Sequence, residues 1–321
     1  MPSEFDLIKR HFQRPTRHTE LGVGDDAALI RATPGSELVV STDMLVAGTH
    51  FLPDDDPESL GWKALAVNVS DLAAMGAVPK WALLAIALPH PREGFVAAFA
   101  AGLFACAERF GIDLVGGDTT RGPLSFTVTI IGEVPQGGAL RRDGAWPEED
   151  VWVSGQPGLA ALGLASLQGL VDLDAAGRHA CLAALRRPQP RTALGLALRG
   201  VASSAIDVSD GLLADLGHIQ ERSGVGAVVD VAMLPRAALD AVCGDGERVR
   251  ESLLAGGDDY ELIFTAAAER RAEIDALAHR LGLPRTRIGT ITDQPAGTLH
   301  LREADGALSV PARRGYDHFV P

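Results

Sequence analysis

Apolar residues recur at intervals of three and four along some stretches of the chain and alternate or run unbroken along others, so helical and strand periods follow one another. Phe5, Leu7, Ile8 and Phe12 form an amphipathic stripe that predicts a helix over Ser3–Gln13. Short strands are expected near Ala27–Arg31 and Glu37–Asp43. Leu60, Ala64, Val67 and Leu72 fall at core spacing and predict a long helix over Pro57–Met75. Trp81–Leu88 is unbroken apolar sequence of strand length, the signature of a strand buried on both faces. A helix over Glu93–Phe110 should stop at Gly111, with strands at Asp113–Val115 and Ser125–Val134 beyond it.

The second half repeats the alternation. Strands are expected at Val151–Ser154, Ala205–Val208, Ala227–Val231, Tyr260–Thr265, Arg285–Ile291 and Thr298–Leu301. Helices are expected over Leu159–Gln168, Ala175–Arg187, Pro190–Arg199, Gly211–Arg222 and Glu269–Leu281, with another ahead of Gly256-Gly257. Interleaved strands and helices of this kind indicate an α/β or α+β fold. The Gly-, Pro- and charge-rich stretch from Pro135 to Asp150 is the natural boundary, giving domains of 1–138 and 139–321. A length of 321 residues agrees with two domains of about 150 residues each.

Composition narrows the function by exclusion. The net charge is -13, and Lys and Arg cluster no further than adjacent pairs such as Arg141-Arg142 and Arg313-Arg314. Sequence-independent nucleic-acid binding needs a basic face, so no nucleic-acid partner is expected. No apolar run approaches the ~20 residues of a membrane span, and the charged first 20 residues do not form a signal peptide. A cytoplasmic location is the expectation. Cys106, Cys181 and Cys243 are widely spaced and form no CxxC, which excludes a disulfide framework and a local zinc motif.

The acidic residues carry the chemistry. Asp outnumbers Glu by 26 to 16, and Asp is the acid of turns, caps and hard-metal sites. Gly22-Val-Gly-Asp-Asp-Ala27 superficially matches a dinucleotide-binding loop. No strand precedes it, however, and two carboxylates stand where a pyrophosphate should approach. None of the three lysines, Lys9, Lys63 and Lys80, lies in a Gly-Lys-Ser/Thr sequence, so a Walker A loop is excluded. Aspartate instead recurs at the ends of apolar strands, in Leu38-Val-Val-Ser-Thr-Asp43, in Leu114-Val-Gly-Gly-Asp118 and in Ala205-Ile-Asp207-Val-Ser-Asp210. Asp71 adds a further acid inside an apolar helix, on one face with Asn68. A single such Asp is most often a helix cap or turn former, and Asp210 alone would be taken for a cap. Several converging at one sheet edge repel one another unless cations hold them. Gly116-Gly117 and Gly256-Gly257 beside acids permit close approach of a phosphate or metal, so phosphate handled through Mg²⁺ is the indicated chemistry.

Six segments in this order resemble the thiamine-monophosphate kinase family of the aminoimidazole-ribonucleotide synthetase superfamily. They are Gly22–Ala27, Ser41-Thr-Asp-Met-Leu-Val-Ala-Gly-Thr-His-Phe51, Ala64–Ala77, Gly116-Gly-Asp-Thr-Thr-Arg121, Ile206–Leu212 and Gly256-Gly-Asp-Asp-Tyr-Glu-Leu262. The Gly315-Tyr-Asp-His-Phe319 ending extends the likeness over nearly the whole chain. The resemblance implies a two-domain fold of the aminoimidazole-ribonucleotide synthetase type, with an N-terminal ATP- and metal-binding domain that dimerises through its sheet. It implies phosphorylation of thiamine monophosphate by ATP with several Mg²⁺ ions. Asp26, Ser41, Thr42, Asp43, Asp71, Asp118, Asp207 and Asp210 would then ligate Mg²⁺. Gly117, Asp118, Arg142 and Ser209 would contact ATP, and His50, Asp258 and Tyr316 the acceptor. Asp258 stands where the family often has Glu.

Charge alone favours several cations in such a reaction. ATP and a phosphate monoester bring about five and a half to six negative charges together, before any aspartate is counted. The acceptor is already an oxyanion, so neither a general base nor a covalent enzyme intermediate is required. The rival readings are an ATP-dependent synthetase of the same superfamily, a non-catalytic nucleotide-binding regulator and a Mg²⁺-dependent phosphohydrolase. The first Cys, Cys106, comes too late for selenophosphate synthesis, and every motif keeps its acids.

Overall fold

A computed structural model of the 321-residue chain describes residues 4–90 and 92–319. The chain forms two compact units, one of residues 1–72 and 77–137, the other of 73–76 and 138–321.

The first unit opens with a short helix α1 (Glu4–Leu7) that widens into a π turn over Ile8–Phe12. Ser3, the expected helix start, lies outside the described residues. A single α-helix was the expectation here. The Gln13 N–H instead bonds the Ile8 carbonyl at 3.2 Å, and this wider turn lets Leu7 and Phe12, five residues apart, both be buried. Strands β1 (Thr19–Leu21) and β2 (Leu29–Ile30) form a small ribbon. There follow β3 (Ser36–Val46), α2 (Pro57–Ala74), β4 (Val78–Leu88), α3 (Glu93–Phe110), β5 (Asp113–Arg121) and β6 (Ser125–Pro135). Their sheet runs β3-β6-β4-β5, antiparallel except for the β4–β5 pair, which α3 connects as a parallel crossover.

Helices α2 and α3 cover one face of this sheet, where Leu65, Leu103 and Ala107 meet Ala82, Leu114 and Val128. They approach until backbones touch. A Cβ on Gly61 would fall 1.9 Å from the Phe99 carbonyl, and one on Gly102 would fall 1.7 Å from the Glu58 carbonyl. The other face of the sheet is open. Strand β4 is therefore not buried on both sides as its apolar run predicts, because Leu83 and Ala87 are half-buried and Ala85 is exposed. Edge strand β3 likewise exposes Leu38 (48%), Val40 (60%) and Met44 (57%).

The second unit is built on a seven-stranded sheet with helices on both faces. In chain order it contains β7 (Asp150–Ser154), α4 (Leu159–Leu167), α5 (Ala175–Arg186), α6 (Thr192–Leu198), β8 (Ser204–Asp207), α7 (Leu212–Ser223) and β9 (Gly226–Asp230). It continues with α8 (Ala237–Asp240), α9 (Gly246–Ala255), β10 (Leu262–Ala266), α10 (Arg271–Leu281), β11 (Arg285–Thr292), β12 (Leu299–Arg302) and β13 (Leu308–Ser309). The strand order is β13-β12-β9-β11-β7-β10-β8, antiparallel except for β12 beside β9. Strand alternation sorts the core into two. Val151, Val153, Ile206 and Ile263 join Leu162, Leu212 and Leu216 on one face. Trp152, Ala205, Leu262 and Phe264 join Leu194, Leu198, Ile274 and Leu277 on the other. Beyond the first helix, the expected elements are present with ends shifted by no more than six residues, the larger changes being the longer β3, β4 and β5.

The interior strand β7 begins on a buried carboxylate paired with two arginines. Asp150 accepts from Arg271 Nε at 2.6 Å, Arg271 Nη2 at 2.8 Å and Arg287 Nη1 at 3.2 Å, which ties α10 and β11 to it. Burial opposes ionisation of Asp150, but the Arg271 and Arg287 guanidinia outweigh it and hold its pKa below the usual value. The stabilisation is thus complete above the unfolded-state pKa near 4 and disappears as pH falls through the lower folded-state pKa. Asp150→Asn should cost about 2 kcal/mol at pH 7, with the gap from wild type closing as pH falls below the unfolded-state pKa, as urea unfolding across that range can show.

Candidate functional site

Strand β3 and helix α2 bring together the first group of candidate residues. Positions two apart share a strand face, and positions three apart share a helix face. Ser41 and Asp43 accordingly meet Asn68 and Asp71. The Ser41 hydroxyl donates to Asp71 Oδ2 at 2.6 Å, and the Asp43 backbone N–H donates to Asn68 Oδ1 at 3.1 Å. Asn68 is fully buried, and its amide donates to the Ala64 carbonyl one turn back at 3.1 Å. Thr42 leaves the strand on the opposite face, where its hydroxyl donates to the Val128 carbonyl and meets Thr129 Oγ1, both at 3.1 Å.

His50 follows in the turn after β3. Its backbone N–H donates to the Val46 carbonyl at 2.9 Å, and its Nδ1 accepts the Val46 N–H at 3.1 Å, which puts the ring proton on Nε2. Phe51 anchors this turn by stacking on Phe126 at 5.3 Å, within a cluster that includes Phe95 and Phe99.

A second group lies on the open side of the sheet. Asp26, Gly117 and Asp118 line a cleft of about 1190 Å³ together with Gly24, Asp25, Leu83, Ala85 and Thr129. Gly117 has φ +152, and a Cβ there would fall 1.8 Å from the Leu84 carbonyl, so glycine is required for β5 to pair with β4. The strand-end pattern expected for the aspartates holds only for Asp207, the last residue of β8. Asp43 and Asp118 lie three residues inside their strands, because pairing with the long β6 and β4 carries β3 and β5 onward.

In the second unit, the β8–α7 turn gathers Ser209, Asp210, Asp258 and Tyr316. The Asp258 N–H donates to the Ser209 carbonyl, and the Tyr316 N–H donates to the Asp210 carbonyl, each at 2.9 Å. Asp207 is buried just before this turn. Asp258 takes a left-handed backbone (φ +68), and its carboxylate accepts from the Tyr260 hydroxyl at 3.0 Å. Tyr316 is exposed and meets the His318 ring edge-on at 4.9 Å. Arg142 is held elsewhere in this unit. Its carbonyl accepts the Ser223 hydroxyl at the C-terminal end of α7, a helix about 18 Å long whose other end follows the Ser209–Asp210 turn.

Sequence reading missed three supporting acids here. Asp215 Oδ2 accepts the N–H groups of Ser209 (2.9 Å), Asp210 (3.1 Å) and Gly211 (3.1 Å), fixing the turn in place of the cap expected of a lone Asp210. Burial, with Asp210 adding to it, pushes the Asp215 pKa up to about 7 against the pull of those three donors. Burial also raises the pKa of Asp210, a shift strengthened by Asp258 and Asp317 and opposed by His318 and His218. Asp259 accepts the Gly158 N–H at 2.8 Å at the start of α4, and burial lifts its pKa well above the usual value. Glu261 forms a two-pronged pair with Arg191, at 2.6 Å to Nε, and also accepts the Ser154 hydroxyl. Of the acids in Asp258-Asp259-Tyr260-Glu261, two thus hold the loop and Asp258 alone carries candidate chemistry. The spacing of Asp215 within the first turn of a predicted helix was a usable signal. The distant partner Arg191 had none.

Among the described residues, no three His, Cys, Asp or Glu side chains stand close enough to hold a metal ion by themselves. Mg²⁺ is normally held by one or two protein carboxylates together with substrate phosphates and water. Hard oxygen donors arranged as here suit a cation that arrives with a nucleotide.

Comparison with known proteins follows the same two units. Residues 24–134 match the AIR synthase related protein, N-terminal domain, and residues 147–302 the corresponding C-terminal domain. The chain is 47% identical to a thiamine-monophosphate kinase of Salmonella typhimurium, over 99% of this chain and 98% of the relative. The crystal structure of the thiamine-monophosphate kinase of Stenotrophomonas maltophilia is 47% identical and superposes with a TM-score of 0.85, covering 94% of this chain and 95% of that one. A solved structure described as AaThiL complexed with AMPPCP and TMP is 32% identical with a TM-score of 0.79, covering 98% and 96%.

The Arg191–Glu261 pair should be essential to the Asp258 loop. Arg191→Met leaves a buried carboxylate without its partner and should cost about 3 kcal/mol or more. Arg191→Met with Glu261→Gln should recover part of that loss in a denaturation double-mutant cycle.

Proposed function

The chain belongs to the thiamine-monophosphate kinase family of AIR synthase related proteins, and we propose that it transfers the γ-phosphoryl group of ATP to thiamine monophosphate, giving thiamine diphosphate and ADP. The observation that carries this reading is 47% identity, over 99% of this chain, to a named thiamine-monophosphate kinase. A relative of the same fold was solved with an ATP analogue and TMP, which supports the same pair of substrates here.

The proposed roles rest on the resemblance of the motifs to the thiamine-monophosphate kinase family. In the first unit, Asp26, Ser41, Thr42, Asp43, Asp71 and Asp118 are proposed for Mg²⁺, Gly117 and Asp118 for the nucleotide, and His50 for the acceptor. In the second, Asp207 and Asp210 are proposed for Mg²⁺, Arg142 and Ser209 for the nucleotide, and Asp258 and Tyr316 for the acceptor. The Thr42 hydroxyl already serves a cross-strand bond, so its contribution would come through the backbone. When bound, Mg²⁺ would neutralise phosphate charge that the enzyme's own acids cannot.

The acceptor phosphate attacks as a preformed oxyanion, so the protein's work is alignment and the exclusion of water. The phosphohydrolase alternative would instead need a positioned water in place of a second substrate. We further propose that two copies pair through the open face of the first unit's sheet. Exposed Leu38, Val40 and Met44, the unpaired β3 edge and the apolar lining of the cleft support this. Described helices include none long and apolar enough to cross a membrane, and the three buried free cysteines suit a reducing compartment, so the cytoplasm is the proposed location.

Incubation with Mg-ATP and thiamine monophosphate should yield thiamine diphosphate in step with ADP. Asp118→Asn should lower turnover at least ~100-fold without unfolding the protein. Tyr316→Ala should raise the KM for thiamine monophosphate more than that for ATP. ADP formation that ignores thiamine monophosphate would point to the phosphohydrolase.

A further inference from the structure

The segment before the Gly22–Asp26 loop is anchored more firmly than a chain terminus requires. Leu7 and Phe12 are buried. Asp113 accepts the N–H groups of Arg17 (2.8 Å) and His18 (2.6 Å) and the Thr19 hydroxyl (2.9 Å), tying the segment to the start of β5. The Trp81 indole donates to the His18 carbonyl at 3.3 Å. Between these anchors the segment presses on both glycines of the loop. A Cβ on Gly22 would fall 3.1 Å from Thr16 Cγ2, and one on Gly24, whose φ is +132, would fall 3.3 Å from Gln13 Nε2. The Gln13 side-chain amide donates to the Val23 carbonyl at 3.3 Å. Gln13 lines the same cleft as Asp25, Asp26 and Asp118.

On the basis of the function proposed above, we infer that Gln13 is a positioning residue, holding the glycine-containing loop that brings Asp26 to the cleft lined also by Asp118. The loop has two glycines and correspondingly wide backbone freedom, so it must be ordered either by the protein beforehand or by the ligand at a cost in affinity. The Gln13 amide supplies part of that order in advance. It touches no reacting atom in this account and acts only through the loop. Its loss should therefore appear in binding of the metal–nucleotide complex and not in the stability of the unliganded chain.

The test is calorimetric titration of the full-length protein with Mg·AMPPCP, alongside the melting temperature of each unliganded variant. Gln13→Ala should bind about 10-fold more weakly, in the range found when residues that support metal ligands are removed. Gln13→Glu, which keeps the volume but loses the donor, should bind at least as weakly. Gln13→His, whose Nε2–H reaches about as far, should recover most of the affinity. All four proteins should melt together. Equal affinities for wild type and Gln13→Ala, or no recovery in Gln13→His, overturn the role of Gln13 while leaving the kinase reading intact. A fall in melting temperature that tracks the loss of affinity makes Gln13 merely structural and also overturns it. Failure of the wild type to bind Mg·AMPPCP overturns the kinase reading and this role together.

Discussion

The contact of β3 with α2 sets the geometry of the first unit's acids. A strand repeats every two residues and a helix nearly every four, so only matched spacings let two residues of each meet. Ser41 and Asp43 on the strand find Asp71 and Asn68 on the helix, through bonds of 2.6 and 3.1 Å. Asn68 is the hinge of this match, because it is fully buried and bonded both to its own helix and to the strand backbone. The match requires α2 to lie flat on the sheet and α3 to lie close to α2, which the Gly61 and Gly102 contacts allow. A one-residue slip of β3 would turn Asp43 away and bring Thr42 to the helix.

In the second unit the same result is reached by different means. The β8–α7 turn is held by a buried carboxylate, since Asp215 collects three backbone N–H groups at the positive end of a helix. The neighbouring loop is held by Asp259 and Glu261. Burial is the main cause that raises the pKa of Asp210 and of Asp215, and neighbouring acids add to it.

Much of this was visible in the sequence, because helix and strand periods are local. Helix α3 was legible to the residue through its apolar stripe and the stop at Gly111. The Asn68–Asp71 spacing announced a polar face on an otherwise apolar helix. What failed depended on distant chain. The apolar run of β4 could not show that helices cover only one face of its sheet, and the ends of β3 and β5 were set by their partners. The π turn over Ile8–Phe12 arises from burying two residues five apart, a tertiary demand. Within Asp258-Asp259-Tyr260-Glu261, residue type could not separate the acid left for chemistry from the two that hold the loop, because Arg191 and Gly158 are remote in sequence.

The central proposal is that Ser41 and Asp71, joined by a 2.6 Å hydrogen bond across the strand–helix contact, act as one unit in phosphoryl transfer. A double-mutant cycle in kcat tests it most directly, using Ser41→Ala, Asp71→Asn and the pair, with melting temperatures measured alongside. The account predicts that the double variant is scarcely slower than Asp71→Asn alone, with all three still folded. Losses that multiply, so that each residue acts independently of the other, would contradict it.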